Sequence, residues 1–175
     1  MGPVDTTQIE IVDIKATEKP RRPSFLTAIL AIGLVGALAA LAFQIFSARA
    51  ESSLRTEAMD TAREYSIIMS SFDYQNLDAN KDTIASMSTE AFAGTYKTMV
   101  DSLRDVVAGG QGQATATATN VGIESVDSDS ATVLVFVDQE AKNVATPQGN
   151  SQKYRMVLSL VRSDNQWLVD NVVTK

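Results

Sequence analysis

The hydrophobic pattern of the chain divides it into three parts. Between Arg22 and Arg49 lie 26 residues without a charge, nearly all of them apolar or small. Because a helix rises about 1.5 Å per residue, about 20 apolar residues cross a bilayer core about 30 Å thick. The pattern therefore predicts a transmembrane helix at 23–48, which separates a flexible cytoplasmic tail at 1–22 from a domain at 49–175.

The first half of that domain has apolar residues at helical spacing. From Glu51 to Tyr74 they recur every three or four positions without Gly or Pro, which is typical of one long helix. Asn and Asp residues at 73–80 predict a turn, and a short helix follows at 81–87. A third helix is predicted from Ser88, as its N-cap, to the Gly pair at 109–110. Its apolar face contains Phe92, Tyr96, Met99, Val100, Leu103 and Val107.

After Gly112 the period of the apolar residues changes from 3.6 to 2, which is typical of strands. Helices followed by an antiparallel meander predict an α+β domain. We expect three helices and a curled four-stranded antiparallel sheet, with Trp167 packed beneath the helices. The four strands are predicted at 114–124, 132–138, 153–160 and 167–173, with a connection at 141–150 and a tight turn at 163–165.

The alternation of Ala and Thr at 114–119 admits two interpretations. It is typical of an ordinary, weakly packed strand. It is also compatible with an edge strand that pairs with the edge of a partner. Both interpretations stay open from the sequence.

Composition limits the chemistry that the domain can perform. The chain has neither Cys nor His, so it lacks a thiolate nucleophile, the commonest general base and the commonest metal ligand. The remaining acid–base candidates are Asp138, Asp170, Tyr65, Tyr74 and Tyr96. The aspartates are more simply explained as solvated strand residues, and Tyr65 and Tyr96 as core aromatics. We therefore predict no catalytic residue, no cofactor and no enzyme activity.

Net charge argues against a nucleic-acid partner, and the spacing of the carboxylates argues against a metal site. From Glu51 onward the chain has 17 acidic and 10 basic residues, a net charge of −7. An acidic domain is a poor nucleic-acid binder, because neutralising phosphates supplies most of the non-specific affinity. Asp127 and Asp129 are two carboxylates in a predicted hairpin turn without the spacing of a calcium loop, so no metal site is predicted.

The charges around the apolar segment predict its orientation. The residues Lys15, Lys19, Arg21 and Arg22 precede it, whereas Arg49, Arg55 and Arg63 follow it. Since the side richer in Lys and Arg stays cytoplasmic, we expect a single-pass protein of the inner (plasma) membrane with an extracytoplasmic domain. The alternative is a signal peptide cleaved after Ala50, although the apolar run exceeds the usual core of about 7–15 residues.

The predicted membrane helix has small residues on one face. Gly33, Gly36, Ala37 and Ala40 would let another membrane helix approach closely, and Gln44 lies near the same stripe. These five residues are the predicted helix–helix contact. The competing interpretation is that Ala and Gly are simply common in membrane helices.

Several stretches of the domain resemble a known family. The order of elements is similar to the NTF2-like (cystatin-like) domains of single-pass membrane proteins. More narrowly, the sequence resembles the actinobacterial Mce-associated membrane proteins over residues 47–173. The stretches that carry the resemblance are Ala62-Arg-Glu-Tyr-Ser66, Phe72-Asp-Tyr-Gln-Asn-Leu-Asp78, Val133-Leu-Val-Phe-Val-Asp-Gln139, Leu158-Ser-Leu-Val-Arg162 and Asp164-Asn-Gln-Trp-Leu-Val-Asp170.

The resemblance implies an accessory subunit that stabilises an Mce-type lipid or sterol import complex. Its implied partners are Mce proteins and their permease subunits. The resemblance implies no catalytic motif. One alternative is a VirB8-like subunit of a conjugation or secretion channel, which shares the tail, single helix and NTF2-like domain. The other is a lipid-binding carrier, with Phe92, Met99, Phe136 and Met156 lining its pocket. The lipid, the Mce system and the oligomeric state stay open.

Overall fold

The computed structural model of the protein describes residues 25–175. The predicted tail at 1–22 and the first two residues of the predicted membrane span lie outside the described residues. The helices are α1 (Phe25–Ser70), α2 (Lys81–Ser86) and α3 (Glu90–Gly109). The strands are β1 (Phe72–Asp73), β2 (Gln113–Val126), β3 (Ser130–Lys142), β4 (Asn150–Ser163) and β5 (Gln166–Thr174).

The chain divides into two compact units, Met1–Phe43 and Gln44–Lys175. The described part of the first unit is helical, and its described side chains, such as Leu34, Leu38 and Leu41, are exposed. Among the residues that the structure describes, no helix combines the length and apolarity that a membrane crossing requires. The transmembrane helix at 23–48 therefore stays a prediction.

In the second unit, α1 buries one face over its last turns. Ala58, Ala62 and Tyr65 have no exposed surface, and they lie one helical turn apart. Two alanines in succession leave little side chain between the helix and the residues that it packs on. The larger Tyr65 fills the core beside them, and its ring lies 6.4 Å from that of Phe92.

The five strands form one antiparallel meander in the order β1-β2-β3-β4-β5. Alternate residues of β3 and β4 are buried on the helical side of the sheet, among them Val133, Val135 and Leu158. Register shifts at 118–120 and 123–125 mark bulges in β2. Since bulges bend a strand and increase its twist, they help the long strands to curl around the helices. The predicted α+β fold with a curled antiparallel sheet is confirmed.

The structure corrects the strand count and the end of the first helix. Five strands are present rather than four, because Phe72 and Asp73 pair with Ala114 and Gln113. The helix that was predicted to reach Tyr74 ends at Ser70. Once these two residues give their backbone groups to β2, they can no longer continue a helix.

The structure also corrects the N-cap of α3. The cap is Thr89, whose Oγ1 accepts a hydrogen bond from the Phe92 amide at 3.3 Å. Ser88, the predicted cap, is buried, and its hydroxyl donates to the Ile84 carbonyl at 2.6 Å. Next to it, the Thr89 amide donates to the Val169 carbonyl at 2.9 Å, which ties this segment to β5. The position next to β5 therefore determines which residue caps the helix.

The end of α3, the tight turn at 163–165 and the burial of Trp167 were predicted correctly. Helix α3 ends at Gly109 with Gly110 as its C-cap. Asp164 and Asn165 both have positive φ, at 48° and 67°, as a two-residue type I′ hairpin turn requires. Trp167 is 5% exposed and belongs to the core, as expected.

We expect Tyr65→Phe to lower the free energy of unfolding by about 1 kcal/mol, the net value of a typical buried hydrogen bond. The Tyr65 hydroxyl lies 2.9 Å from Ser88 Oγ, and because the Ser88 proton points to Ile84, Tyr65 is the donor. Urea unfolding of the full chain in detergent measures the change. Tyr74→Phe is the matched control, since the Tyr74 hydroxyl accepts a hydrogen bond from the neighbouring, exposed Gln75 side chain. Equal losses in the two variants would contradict this assignment.

Candidate functional site

Tyr65 and Tyr96, which were predicted as core aromatics, are buried. Tyr65 is fully buried, and burial raises its pKa to about 12, partly offset by the hydrogen bond with Ser88. Tyr96 is 8% exposed, and burial raises its pKa as well. Both phenols therefore stay protonated at neutral pH and serve as core side chains.

The other three acid–base candidates lie apart from one another. Asp138 forms an ion pair with Lys153 at 3.2 Å. Asp170 accepts a hydrogen bond from Thr89 Oγ1 at 3.0 Å. Tyr74 bonds with Gln75 at 3.2 Å. None of the five candidates lines either of the two cavities described next.

The larger cavity is a polar cleft of about 720 Å³ at one end of the sheet. It lies where β1, the start of β2 and the end of β3 meet, and Asp73, Glu140 and Lys142 contribute to its walls. The Asp73 carboxylate is already engaged, because it accepts from the Gln75 amide and from the Gln113 side chain, each at 2.9 Å. The cleft thus presents polar groups that organise the turn after α1.

The second cavity, of about 400 Å³, lies beside Trp167. The Arg162 guanidinium lies 5.6 Å from the centre of the Trp167 ring and 3.7 Å from the Glu57 carboxylate. Trp167 Nε1 is buried and has no hydrogen-bond partner in the described chain. The cation over the indole links β4 to β5 and covers this side of the core.

The Asp127 carboxylate, considered above for metal binding, builds the hairpin turn between β2 and β3. It accepts from the Asp129 amide at 2.8 Å, the Ser130 amide at 2.7 Å and the Ser130 hydroxyl at 2.9 Å. These donors lower its pKa. Within the described residues, no group of three or more acidic side chains is arranged to hold a metal ion.

An ionic network joins the turn before α2 to α3. The Asp78 carboxylate lies 2.7 Å from both Arg104 Nη2 and Lys81 Nζ. Lys81 also contacts Asp101 at 3.0 Å. The hydrogen bonds from Arg104 and Lys81 lower the pKa of Asp78 to about 2, and the bond from Lys81 lowers that of Asp101. The network links the turn before α2, the start of α2 and the middle of α3 at the surface of the domain.

The side chains proposed for a lipid pocket do not meet in one cavity. Met156 is buried on the helical side of the sheet, whereas Phe136 is 46% exposed. Phe92 is half-buried, and Met99 is 40% exposed on α3. None of the four lines either cavity described above.

Apart from the exposed apolar side chains of α1, two apolar surfaces of the described domain are uncovered. On the outer face of the sheet, Leu134 faces Val157 on β4, and Val157 faces Val173 on β5. Phe136 extends this patch, and Phe136 and Val173 are both nearly half exposed.

The second surface is on α3. Of the apolar face predicted for this helix, only Tyr96 is fully buried, and Met99, Leu103 and Val106 form an exposed stripe at helical spacing. The predicted apolar face of α3 is thus only partly buried, because only the inner side of the helix reaches the core.

The five residues of the predicted membrane contact lie on α1. Gly33, Gly36, Ala37, Ala40 and Gln44 are all exposed. A Cβ added at Gly33 or Gly36 would meet nothing within 4 Å. Their role in helix–helix contact stays a prediction.

The chain matches no protein-family model and no curated protein. Its fold is similar to those of solved secretion-system proteins. An IcmL-like type IV secretion system protein of Legionella pneumophila has a TM-score of 0.59 at 20% identity, covering 69% of this chain and 91% of that chain. CagV, a VirB8 homologue of the type IV secretion system of Helicobacter pylori, has a TM-score of 0.55 at 12% identity, with coverages of 69% and 97%.

A third structure, the periplasmic domain of DotI, has a TM-score of 0.56 at 13% identity, covering 67% of this chain and 92% of that chain. At such identities the likeness establishes the fold and no more. None of the three structures is described as an enzyme, and none is described as an Mce-associated protein. The resemblance to the Mce-associated family therefore stays a prediction from the sequence.

The ionic network predicts how stability depends on pH. Asp78 has a pKa of about 2 in the folded chain against 3.8 for an unperturbed Asp carboxyl group. A lowered carboxyl pKa stabilises the fold above the unfolded value, and the stabilisation is lost as pH falls through the folded value. We expect the free energy of unfolding to fall between about pH 5 and pH 2, and to fall less in Asp78→Asn.

Urea unfolding at a series of pH values measures this difference. Because all four charges are at least partly exposed to solvent, the difference should shrink in about 1 M salt, where the screening length is about 3 Å. An Asp78→Asn profile parallel to that of the native chain would contradict the role of the network.

Proposed function

We propose that this protein is a non-catalytic docking subunit of an envelope-spanning transport machine, of the kind that includes VirB8-like secretion subunits. In this proposal, residues 23–48 anchor the chain in the inner membrane, and the domain at 49–175 contacts partner proteins outside it. The tail at 1–22 faces the cytoplasm. The proposal rests on the fold, the predicted anchor and the arrangement of the uncovered surfaces.

The observation that supports it most is the extent of the structural likeness. The aligned part is 69% of this chain for the first two neighbours, which is about 120 residues and close to the length of the proposed outer domain. It covers more than nine-tenths of each neighbour. One further neighbour is described as a periplasmic domain, which agrees with an extracytoplasmic location for this one.

The chemistry of the described residues supports docking rather than catalysis. The acid–base candidates are buried, paired or dispersed, and neither cavity brings them together. The outer sheet face and α3, in contrast, leave large apolar side chains exposed. Exposed apolar patches that the chain itself does not cover are typical of protein-contact surfaces.

A second candidate is the accessory subunit of an Mce-type lipid or sterol importer, which the sequence stretches favour. Several of these stretches also have a clear structural task. Tyr65 bonds with Ser88, Asp73 and Asp78 organise the turn after α1, and Trp167 fills the core. Because such residues serve the fold, they distinguish the two machines poorly. Partners distinguish them directly.

An affinity pull-down of the tagged full chain from gently solubilised native membranes, with mass spectrometry of the retained proteins, tests the proposal. We expect subunits of a type IV secretion or conjugation channel. Mce proteins with their permease subunits would instead support the second candidate. A co-purified lipid without either set of proteins would contradict docking and favour a carrier. A tagged chain that ends at Ala50 is the control, since it separates contacts of the anchor from those of the outer domain.

The anchor makes a separate prediction. We expect the full chain to stay in the membrane fraction after alkaline washing, with an intact mass that includes residues 1–50. Leu38→Arg places a charge in the centre of the span at a cost of about 2.5–3.5 kcal/mol, and it should release part of the protein from the membrane. Leu38→Phe is the apolar control. A mature chain that begins at Glu51 would instead show a cleaved signal peptide.

A further inference from the structure

Within the described residues, one edge of the sheet has no neighbouring strand over most of its length. Strand β1 contains only Phe72 and Asp73, and it pairs with the first two residues of the 14-residue strand β2. Strand β1 begins directly after the long helix α1, which ends at Ser70. The position of a fifth full-length strand is therefore occupied over two residues and then left empty. We call the uncovered part of β2, from Thr117 to Ile123, the open edge.

The backbone groups of the open edge face outward in a regular way. The Tyr74 amide donates to the Gly112 carbonyl at 2.9 Å, and the Ala116 amide donates to Ser71 Oγ at 3.0 Å. Even-numbered residues therefore direct their backbone groups away from β3 up to Ala118. The bulge after Ala118 shifts this parity, so Val121 and Ile123 continue the outward series. Each offers an amide and a carbonyl to a neighbouring strand.

The open edge lacks two common devices that prevent strand addition. Natural edge strands carry Lys or Pro, are very short, or are covered by another element. Strand β2 has neither Lys nor Pro, and among the described elements β1 and β3 are the ones that lie along it. Its two bulges limit the length of a straight partner rather than prevent pairing. The edge therefore suits a short strand from outside the described chain.

Charge indicates what kind of strand fits. Every charged residue of β1, β2 and the turn that follows β2 is acidic, namely Asp73, Glu124, Asp127 and Asp129. They lie at the two ends of the open edge, and none lies within it. A second copy of this chain would bring a second set of carboxylates to the same place, which is unfavourable. A segment with basic residues would find opposite charges at both ends.

We propose that the open edge binds a short, extended, basic segment of a partner protein, which adds to the sheet as a strand. The segment pairs through its backbone with Ala118, Val121 and Ile123, while its Lys or Arg side chains lie near the acidic ends. This proposal deepens the docking function, because it names one surface and the chemistry of its partner. It does not depend on which transport machine contains the protein.

Hydrogen–deuterium exchange of the full chain in nanodiscs of zwitterionic lipid tests it. The probe is a capped peptide about nine residues long in which Lys alternates with Val, long enough to span the open edge. We expect the amides of Ala118, Val121 and Ile123 to exchange at least about tenfold more slowly with the peptide. The amides of Thr117 and Asn120, which face β3, should be unchanged.

Two variants separate strand addition from general binding. Ala118→Pro removes an outward amide that β3 does not use, so the peptide should no longer slow exchange at Val121 and Ile123. Glu124→Lys should weaken binding about twofold to fivefold, the range of an exposed ion pair. It remains informative if the proline variant does not fold. Asp105→Lys is its control, with the same charge change at an exposed site on α3.

Several results would overturn the proposal. Unchanged exchange at saturating peptide would show that the edge does not accept a strand. Equal protection by a peptide with Glu in place of Lys would refute the requirement for basic residues. Protection before peptide is added, with a doubled particle mass, would assign the edge to a second copy of this chain. Protection in the monomer would show that the chain covers the edge itself.

A pull-down without transport subunits, together with a bound peptide, would reject the proposed transport machine but would still support strand binding at the open edge.

Discussion

The packing of α1 on one face of the antiparallel sheet is the constraint on which the rest of the structure depends. Ala58 and Ala62 are buried in the core, and Tyr65 joins the helix to Ser88 just before α3 by a hydrogen bond. Because one long helix covers one face, the other face remains open. The burial of the valines on β3 alternates accordingly, with Leu134 and Phe136 directed to the uncovered side. The uncovered outer face of the sheet thus follows from the packing of the helix on the opposite face.

The same constraint supports the proposed docking function. The space between helix and sheet is filled by side chains such as Val135, Leu158 and Trp167. The cavities lie at the end and the side of the sheet, away from the buried tyrosines. Solved proteins with this fold are described as secretion-system components, and the proposed function assigns this chain a comparable task. The open edge, which has acidic residues at both ends, is the place where we propose that a partner strand binds.

Much of the fold could be predicted from the sequence, because strong periodicity reflects burial on one side. The four long strands and the Asp164–Asn165 turn follow from alternation and turn chemistry. Strand β1 could not be predicted, since two residues have no period and their pairing depends on distant Ala114. The cap at Thr89 depends in the same way on Val169. The exposure of the stripe on α3 could not be predicted, because an apolar residue favours a contact both within the chain and with another protein.

The candidate surfaces were harder to predict than the fold. Alternating Ala and Thr at 114–119 left an edge strand open as an interpretation, but only the short length of β1 shows that the edge is uncovered within the described chain. The acidic residues at its ends are far apart in sequence, at Asp73 and Asp129, and the sheet brings them to the same edge strand. Sequence spacing alone carries no sign of that arrangement.

The most direct test of the central claim is site-specific photo-cross-linking in living cells, with the reactive group at Phe136 on the uncovered sheet face or at Thr117 within the open edge. The account predicts discrete adducts with subunits of an envelope transport machine, and none from the buried control position Val135. Photo-cross-linking that yields no protein adduct from either exposed position, in cells where the machine is assembled, would contradict it.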